Sequence, residues 1–365
     1  MPLIATAAGS CGLLLDVLAQ PSHATSLTPP QWTALLAAAR AANLLGTLAA
    51  RLTDAGIDLP PAPARHLSGA LHLSLRQADS VRWETHCIAR ALAPLGTPVV
   101  LLKGAAYVLT AQPPARGRLF GDIDILVPRD AVGRAELRLM VHGWTTGKSD
   151  PYDQRYYREW MHEIPPLMHV RRGTMLDVHH TILPLTSRHR PDPAKLIARA
   201  VDTQVPGIKA LSPLDLVLHS ITHLVHEGEL HNGLRDLVDI DALLRAQCGS
   251  ADDWRVLAER AAELDLEESV GLGLHLAARH LSTPVPSEWI ERLLRNRRSR
   301  RMLDWAYDRA LAPAVESEEA GWAGLARSLI YIRAHWLRMP PLLLARHLGR
   351  KAWMGWRART APATP

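Results

Sequence analysis

Hydrophobic and polar positions change period along this chain, and the changes mark its elements. Up to about residue 95 the apolar residues recur at helical spacing. Thr28-Pro29-Pro30-Gln31-Trp32 reads as a helix start, with Thr28 as cap and proline in the first turn. Trp32, Leu35, Leu36, Ala39, Leu44 and Leu45 follow it. The prolines of 58–63 break the pattern, a long helix is predicted over about 64–93, and Pro94 to Pro98 closes it. The short apolar run 97–102, with two valines, predicts a buried strand. Lys103-Gly104-Ala105 predicts a glycine turn opening a helix to about residue 111. A loop with two prolines, Arg116 and Arg118 leads to a second strand over 122–127, then to a helix over 131–141. Segments 163–170 and 174–180 flank Arg171-Arg172-Gly173 as a predicted hairpin. From about residue 192 the pattern is helical again, with Ser212-Pro213-Leu214-Asp215 as a start signal. Further helices are predicted over 233–244 and within 254–281. The chain thus divides into an N-terminal helical region (1–95), a strand-containing core (96–190), a C-terminal helical region (191–310) and a tail (311–365).

Candidate chemistry sits on the second strand. Asp122 and Asp124, at i and i+2, share one face of it, while Ile123, Ile125 and Val127 fall on the other. Paired carboxylates repel unless a cation lies between them. Mg²⁺, a hard ion that keeps several waters and binds substrate phosphates, is the expected cofactor, with Mn²⁺ as the alternative. In the hairpin's second arm Met175, Asp177 and His179 share a face.

Composition adds little until charge is mapped. Of 365 residues, 47% are hydrophobic and 21% charged, as in an ordinary folded protein. The three cysteines, Cys11, Cys87 and Cys248, are too far apart to suggest a disulfide or metal framework, which suits a reducing cytoplasm. The first twenty residues are apolar but contain no Lys or Arg and include Asp16, so a helix is expected there and not a targeting segment. No uninterrupted apolar run reaches the length of a membrane span. The net charge of +6 is concentrated: from Gly321 onward there are eight Lys or Arg and no Asp or Glu. Trp322, Trp336, Trp353 and Trp356 are interleaved with those cations. Peripheral contact with an anionic membrane surface is one expectation for this segment, and nucleic acid a weaker one. A helical pair, split at Pro340-Pro341, that packs its tryptophans on the body and exposes its arginines is the plainer alternative.

Three motifs occur in order: Leu102-Lys103-Gly104-Ala105, then Arg118-Leu119-Phe120-Gly121-Asp122-Ile123-Asp124-Ile125-Leu126-Val127, then Leu176-Asp177-Val178-His179-His180. This order resembles the nucleotidyltransferase superfamily built on the DNA-polymerase-β palm, and most of all its bacterial branch, the uncharacterised nucleotidyltransferase family, over roughly residues 15–280. The resemblance implies an α+β core of polymerase-β type, a short mixed sheet with helices, embedded between helical regions. It also implies Mg²⁺-dependent transfer of a nucleoside monophosphate from an NTP such as ATP to an acceptor hydroxyl on a small molecule, a glycan precursor or a protein. Asp122, Asp124 and Asp177 would be the metal-binding and catalytic acids. Lys103, Gly104, Ala105, Arg118 and His179 would contact nucleotide phosphate. The superfamily usually has Gly-Ser where this chain has Gly104-Ala105, and a shorter gap to the first aspartate. Both departures suit the alternative of a catalytically inactive nucleotide-binding or scaffold protein that retains the fold.

His219, His223 and His226 lie at i, i+4 and i+7, on one helix face. A zinc site there would need Glu after the first histidine, where Ser220 stands. The expected role is to line a helix packed over the active site. Asp236 and Asp239 on the next helix are expected in caps and salt bridges.

Overall fold

The structure, a computed structural model, describes residues 9–147, 151–294, 300–313 and 320–340. Four helices come first: α1 (Ser10–Ala19), α2 (Pro29–Ala41), α3 (Leu45–Asp54) and α4 (Pro61–Leu92). At the start of α2 the Thr28 N–H donates to the Gln31 side-chain oxygen at 2.9 Å, which satisfies one orphan donor. The long helix α4 buries Leu67, Ser74, Ala78, Val81, Thr85, Ile88 and Leu92, a stripe at steps of three, four and seven that faces the core.

The sheet follows. Its strands are β1 (Val99–Leu101), β2 (Asp122–Leu126), β3 (Trp144–Thr146), β4 (Leu167–His169), β5 (Met175–His179), β6 (Val201–Asp202) and β7 (Ile208–Ala210), in spatial order β3-β4-β5-β2-β1-β7-β6. Two parallel contacts, β2 with β5 and β1 with β7, sit among antiparallel ones, so the sheet is mixed and the fold α+β. Helix α5 (Lys103–Leu109) lies between β1 and β2, and α6 (Val132–Val141) and α7 (Pro151–Trp160) lie between later strands. The remaining helices are α8 (Pro193–Ala198), α9 (Pro213–His226), α10 (Gly233–Gln247), α11 (Ala251–Glu263), α12 (Glu267–Leu281), α13 (Ser287–Leu293), α14 (Arg300–Ala310) and α15 (Ala320–Arg338).

Several expectations are corrected. The first strand is shorter than 97–102, and α5 begins directly at Lys103 with no separate glycine turn. Helix α7 had no counterpart in the sequence pattern. The segment after residue 192 is not purely helical. It contains β6 and β7, and β7 pairs with β1, so the sheet draws strands from beyond residue 190. The Ser212 cap is present, its Oγ accepting from the Asp215 N–H at 3.3 Å. The Asp215 side chain instead holds Arg260, at 2.7 and 2.9 Å.

Helix α15 packs on α14 and α9. Two of its three arginines reach the body, and Arg327 is exposed: Arg333 donates to the Val225 carbonyl at 3.1 Å and Arg338 to the His226 carbonyl, at the C-terminal end of α9 where unpaired carbonyls and the helix dipole favour cations. Trp322 and Trp336 are exposed at 61% and 43%, yet each meets the body: Trp322 lies edge-on to Trp305 and the Arg188 guanidinium lies over Trp336. Trp353, Trp356 and the helix expected after Pro341 lie outside the described residues.

Candidate active site

The site is built where β2 and β5 lie side by side. Their parallel register sets Asp124 against Asp177, Asp122 against Met175 and Leu126 against His179. With a side-chain period of two, Asp122, Asp124, Asp177 and His179 therefore share one face. Ile123, Ile125 and Val178 point the other way into the core. One carboxylate oxygen from each of Asp122, Asp124 and Asp177 lies within 4.8 Å of the other two. Asp177 Oδ1 is buried with no hydrogen-bond partner. A buried oxygen left unpaired beside two further carboxylates suits a hard divalent cation.

Two nitrogen-bearing side chains already meet Asp124, which is 2% exposed. Lys103 Nζ is 2.8 Å and His179 Nε2 3.0 Å from its Oδ1. Lys103 has φ +43°, a left-handed backbone that is costly for a residue with a Cβ. Its ammonium lies on the Asp124 carboxylate, at the edge of the cavity it helps to line. Burial alone would raise the Asp124 carboxyl, but Lys103 and the His179 hydrogen bond outweigh it and hold the group well below its ordinary value. Asp122 is raised, first by the charge of Asp124 and then by burial. Asp177 is pushed up to about 7 by burial and by the charges of Glu163 and Asp124.

The structure adds two residues that sequence patterning missed, His162 and Glu163. Glu163 forms an antiparallel bridge with His179, and its carboxylate lies 3.4 Å from His179 Nε2. His162, Glu163 and His179 form a second set of ligand atoms within 4.8 Å of one another. Burial raises Glu163, though His179 and Lys103 oppose it. His179 is raised because its bond to Asp124 and the nearby Glu163 outweigh burial, whereas burial takes His162 well below its ordinary value. The hairpin itself carried a usable signal: counting back from the turn at Arg171-Arg172-Gly173 puts Glu163 within two residues of the position opposite His179.

The remaining sequence-predicted residues divide. Gly104 lines the cavity over the acids, but a Cβ there would come within 2.6 Å of Arg118 Nη1 and 2.9 Å of the Phe120 ring, so the glycine makes room for these side chains. Ala105 is 1% exposed and packs in the core. Arg118 is buried, 2.8 Å from Asp239 and 4.0 Å from Asp236, and its guanidinium lies over the rings of Tyr107 and Phe120. It therefore anchors the loop before Asp122 to α10, and Asp236 and Asp239 serve in salt bridges as expected.

Helix α9 places its histidines beside this centre. Burial and the nearby Lys103 depress His219 to about 3 and take His223 well below its ordinary value. Burial and Arg338 depress His226 to about 3, and that residue hydrogen-bonds Ser269 at 2.9 Å. Among the described residues these three form no metal-ligand group.

Two cavities meet at Gly121 and Asp122. One, of about 370 Å³, runs from Lys103 and Asp124 to His223, Arg235 and the turn between α9 and α10. The other, of about 540 Å³, lies between α4 and the start of β5.

No curated protein and no solved structure matches the chain. A family model does match, over residues 28–282, from the cap of α2 to the end of α12. That span takes in the whole sheet and all three aspartates, and the chain belongs to the family described as uncharacterised nucleotidyltransferase.

Proposed function

We propose that the protein is a Mg²⁺-dependent nucleotidyltransferase with a polymerase-β-type core, moving an NMP from an NTP to an acceptor hydroxyl. The observation that carries this is the convergence of Asp122, Asp124 and Asp177 on one face of β2 and β5, with the unpaired Asp177 oxygen among them. Family membership supports it. Bound between these acids, Mg²⁺ (or Mn²⁺) would supply Lewis-acid stabilisation at the transferring and leaving oxygens, by two ions if the superfamily pattern holds.

The chain's own groups do the rest. Lys103, Arg235 and His223 line the smaller cavity, where the triphosphate is placed in this proposal. The acceptor oxygen attacks the α-phosphorus, the bond to the bridging oxygen breaks, and pyrophosphate leaves. Asp177, on the face shared with Asp122 and Asp124, would receive the hydroxyl proton. His179 Nε2 meets the Asp124 carboxylate, and Glu163 lies 3.4 Å from the same nitrogen.

The alternative, a nucleotide-binding or scaffold protein without catalysis, is favoured by the Lys103 ammonium seated on Asp124 and by the buried Ala105. Calorimetric titration of each NTP with and without Mg²⁺ tests the choice. Mg²⁺-dependent binding that is lost in Asp122→Asn/Asp124→Asn, with labelled NMP passing to an acceptor, is the expected result. Binding without turnover on any acceptor leaves the scaffold.

Among the described residues no helix is long and apolar enough to cross a membrane. We propose a cytoplasmic protein whose α15, with Trp322, Leu325, Ile332 and Trp336 exposed at helical spacing, makes peripheral contact with an anionic membrane surface.

A further inference from the structure

The larger cavity, about 540 Å³, is separate from the one assigned to the NTP but touches the same carboxylate, Asp122. A group-transfer enzyme needs its two substrates on opposite sides of the reacting phosphorus, so a second cavity opening on the metal edge is where an acceptor belongs. Its wall is the solvent face of α4. Arg76, Ser80 and Trp83 recur there at i, i+4 and i+7. Trp83 is 60% exposed, a large apolar ring facing a cavity with nothing packed over it. The opposite wall, Phe120 to Ile123 and Thr174, comes from β2 and the approach to β5. Gln77 fixes that wall, accepting a 2.8 Å hydrogen bond from the Phe120 N–H.

Apart from Asp122, at the edge shared with the three acids, the charges of the cavity are paired but for one. Arg172 is held in a two-pronged bond by Glu84, both contacts at 2.7 Å, and Asp79 is held by Arg82 at 2.8 Å. The Arg76 guanidinium is exposed and has no side-chain partner among the described residues. The cavity therefore offers one flat indole, several neutral donors and acceptors, and one uncommitted cation. A ring with an apolar C–H face, hydroxyls around its rim and a single anionic substituent matches each of these.

We propose that this cavity is the acceptor site and that the acceptor is a small acidic sugar, carrying a phosphate or a carboxylate. The ring stacks on Trp83, its anionic group meets Arg76, and a hydroxyl points past Gly121 toward the carboxylates. The inference rests on the nucleotidyltransferase reading for the role of the cavity, but the binding site stands apart from it.

Saturation-transfer NMR on the full chain tests it, with glucose 6-phosphate, glucuronate, glucose and a serine-containing peptide as probes and Mg²⁺–ATP binding followed in parallel. The two acidic sugars are expected to bind at least about tenfold more tightly than glucose, a difference of about 1.4 kcal/mol. Arg76→Ala should remove that preference. Trp83→Ala should weaken all three sugars by about tenfold or more, and neither variant should change Mg²⁺–ATP affinity. A far-UV spectrum matching wild type shows that each variant is folded. Phosphate against carboxylate preference separates the two sources of the anion. No transfer to any sugar in a protein that binds Mg²⁺–ATP overturns the acceptor proposal and leaves the nucleotidyltransferase reading intact. Preferential transfer to the peptide also overturns it. Sugar binding without any NTP binding keeps the saccharide site and removes the transferase.

Discussion

Asp177 shows how one residue's surroundings set its chemistry. Its ordinary carboxyl value is 3.8, and in the fold it lies at about 7. The folded carboxyl therefore holds its proton more tightly than the unfolded one. Its contribution to stability is complete below about pH 4 and is lost as pH rises through 7. Metal-free protein should lose on the order of 1–2 kcal/mol across that window, allowing for partial exposure of the group. Asp177→Asn should flatten the loss in urea titrations at several pH values. Mg²⁺ should stabilise wild type at pH 8 and leave the variant unmoved, because the metal competes with the proton only where the carboxylate exists. Lys103 makes the complementary case. Lys103→Met leaves Asp124 buried with His179 alone, and should cost about 3 kcal/mol in metal-free protein. Mg²⁺ should recover more stability in the variant than in wild type, since no ammonium has to give way. Equal Mg²⁺ responses in chemical denaturation would count against Lys103 as a placeholder cation.

At the scale of elements, the segment before β2 is positioned by three neighbours. Arg118 ties it to α10, Gln77 of α4 holds the Phe120 N–H, and Gly117 lies against Gly46 of α3. A Cβ on Gly46 would sit 2.3 Å from the Gly117 carbonyl oxygen, and backbone cannot swing aside as a side chain can. Gly117 also has φ +84°, which glycine adopts without penalty. Gly46→Ala should destabilise the protein by about 2 kcal/mol, and should weaken Mg²⁺-dependent nucleotide binding by displacing Asp122. Chemical denaturation and calorimetry read the two effects separately. The sequence made β2 and the β4–β5 hairpin legible, because period-two alternation and the Arg171-Arg172-Gly173 turn are local signals. It hid β7, whose three residues Ile208–Ala210 are too short for any period and gain their identity from pairing with β1. Gly104 and Arg118 were legible as special but not in their roles. A glycine needed for close packing and one needed for phosphate approach look alike in one dimension, and Arg118 finds Asp239 more than a hundred positions away.

For the whole molecule, the apolar stripe of α15 and the sheet that carries the three aspartates belong to one folded body, joined through the α9 carbonyls that Arg333 and Arg338 cap. If that stripe meets a membrane, Trp322→Ala/Trp336→Ala should abolish co-sedimentation with phosphatidylserine vesicles. Binding by wild type should weaken as salt is raised. Nucleotide affinity should not change, since the arginines that join α15 to α9 remain. Wild-type protein that stays in the supernatant at low salt would remove the membrane contact.

The position of β1 has a consequence for biosynthesis. This strand is sandwiched between β2, which follows it closely, and β7, which emerges from the ribosome about a hundred residues later. Until then β1 presents an unpaired apolar edge, open to any nascent strand nearby. The three carboxylates can gather as soon as β5 has been made, yet the sheet that carries them cannot be sealed. A ribosome stalled before residue 200 would therefore hold a chain with its three carboxylates assembled and its sticky edge exposed, the stage at which this protein most needs a chaperone.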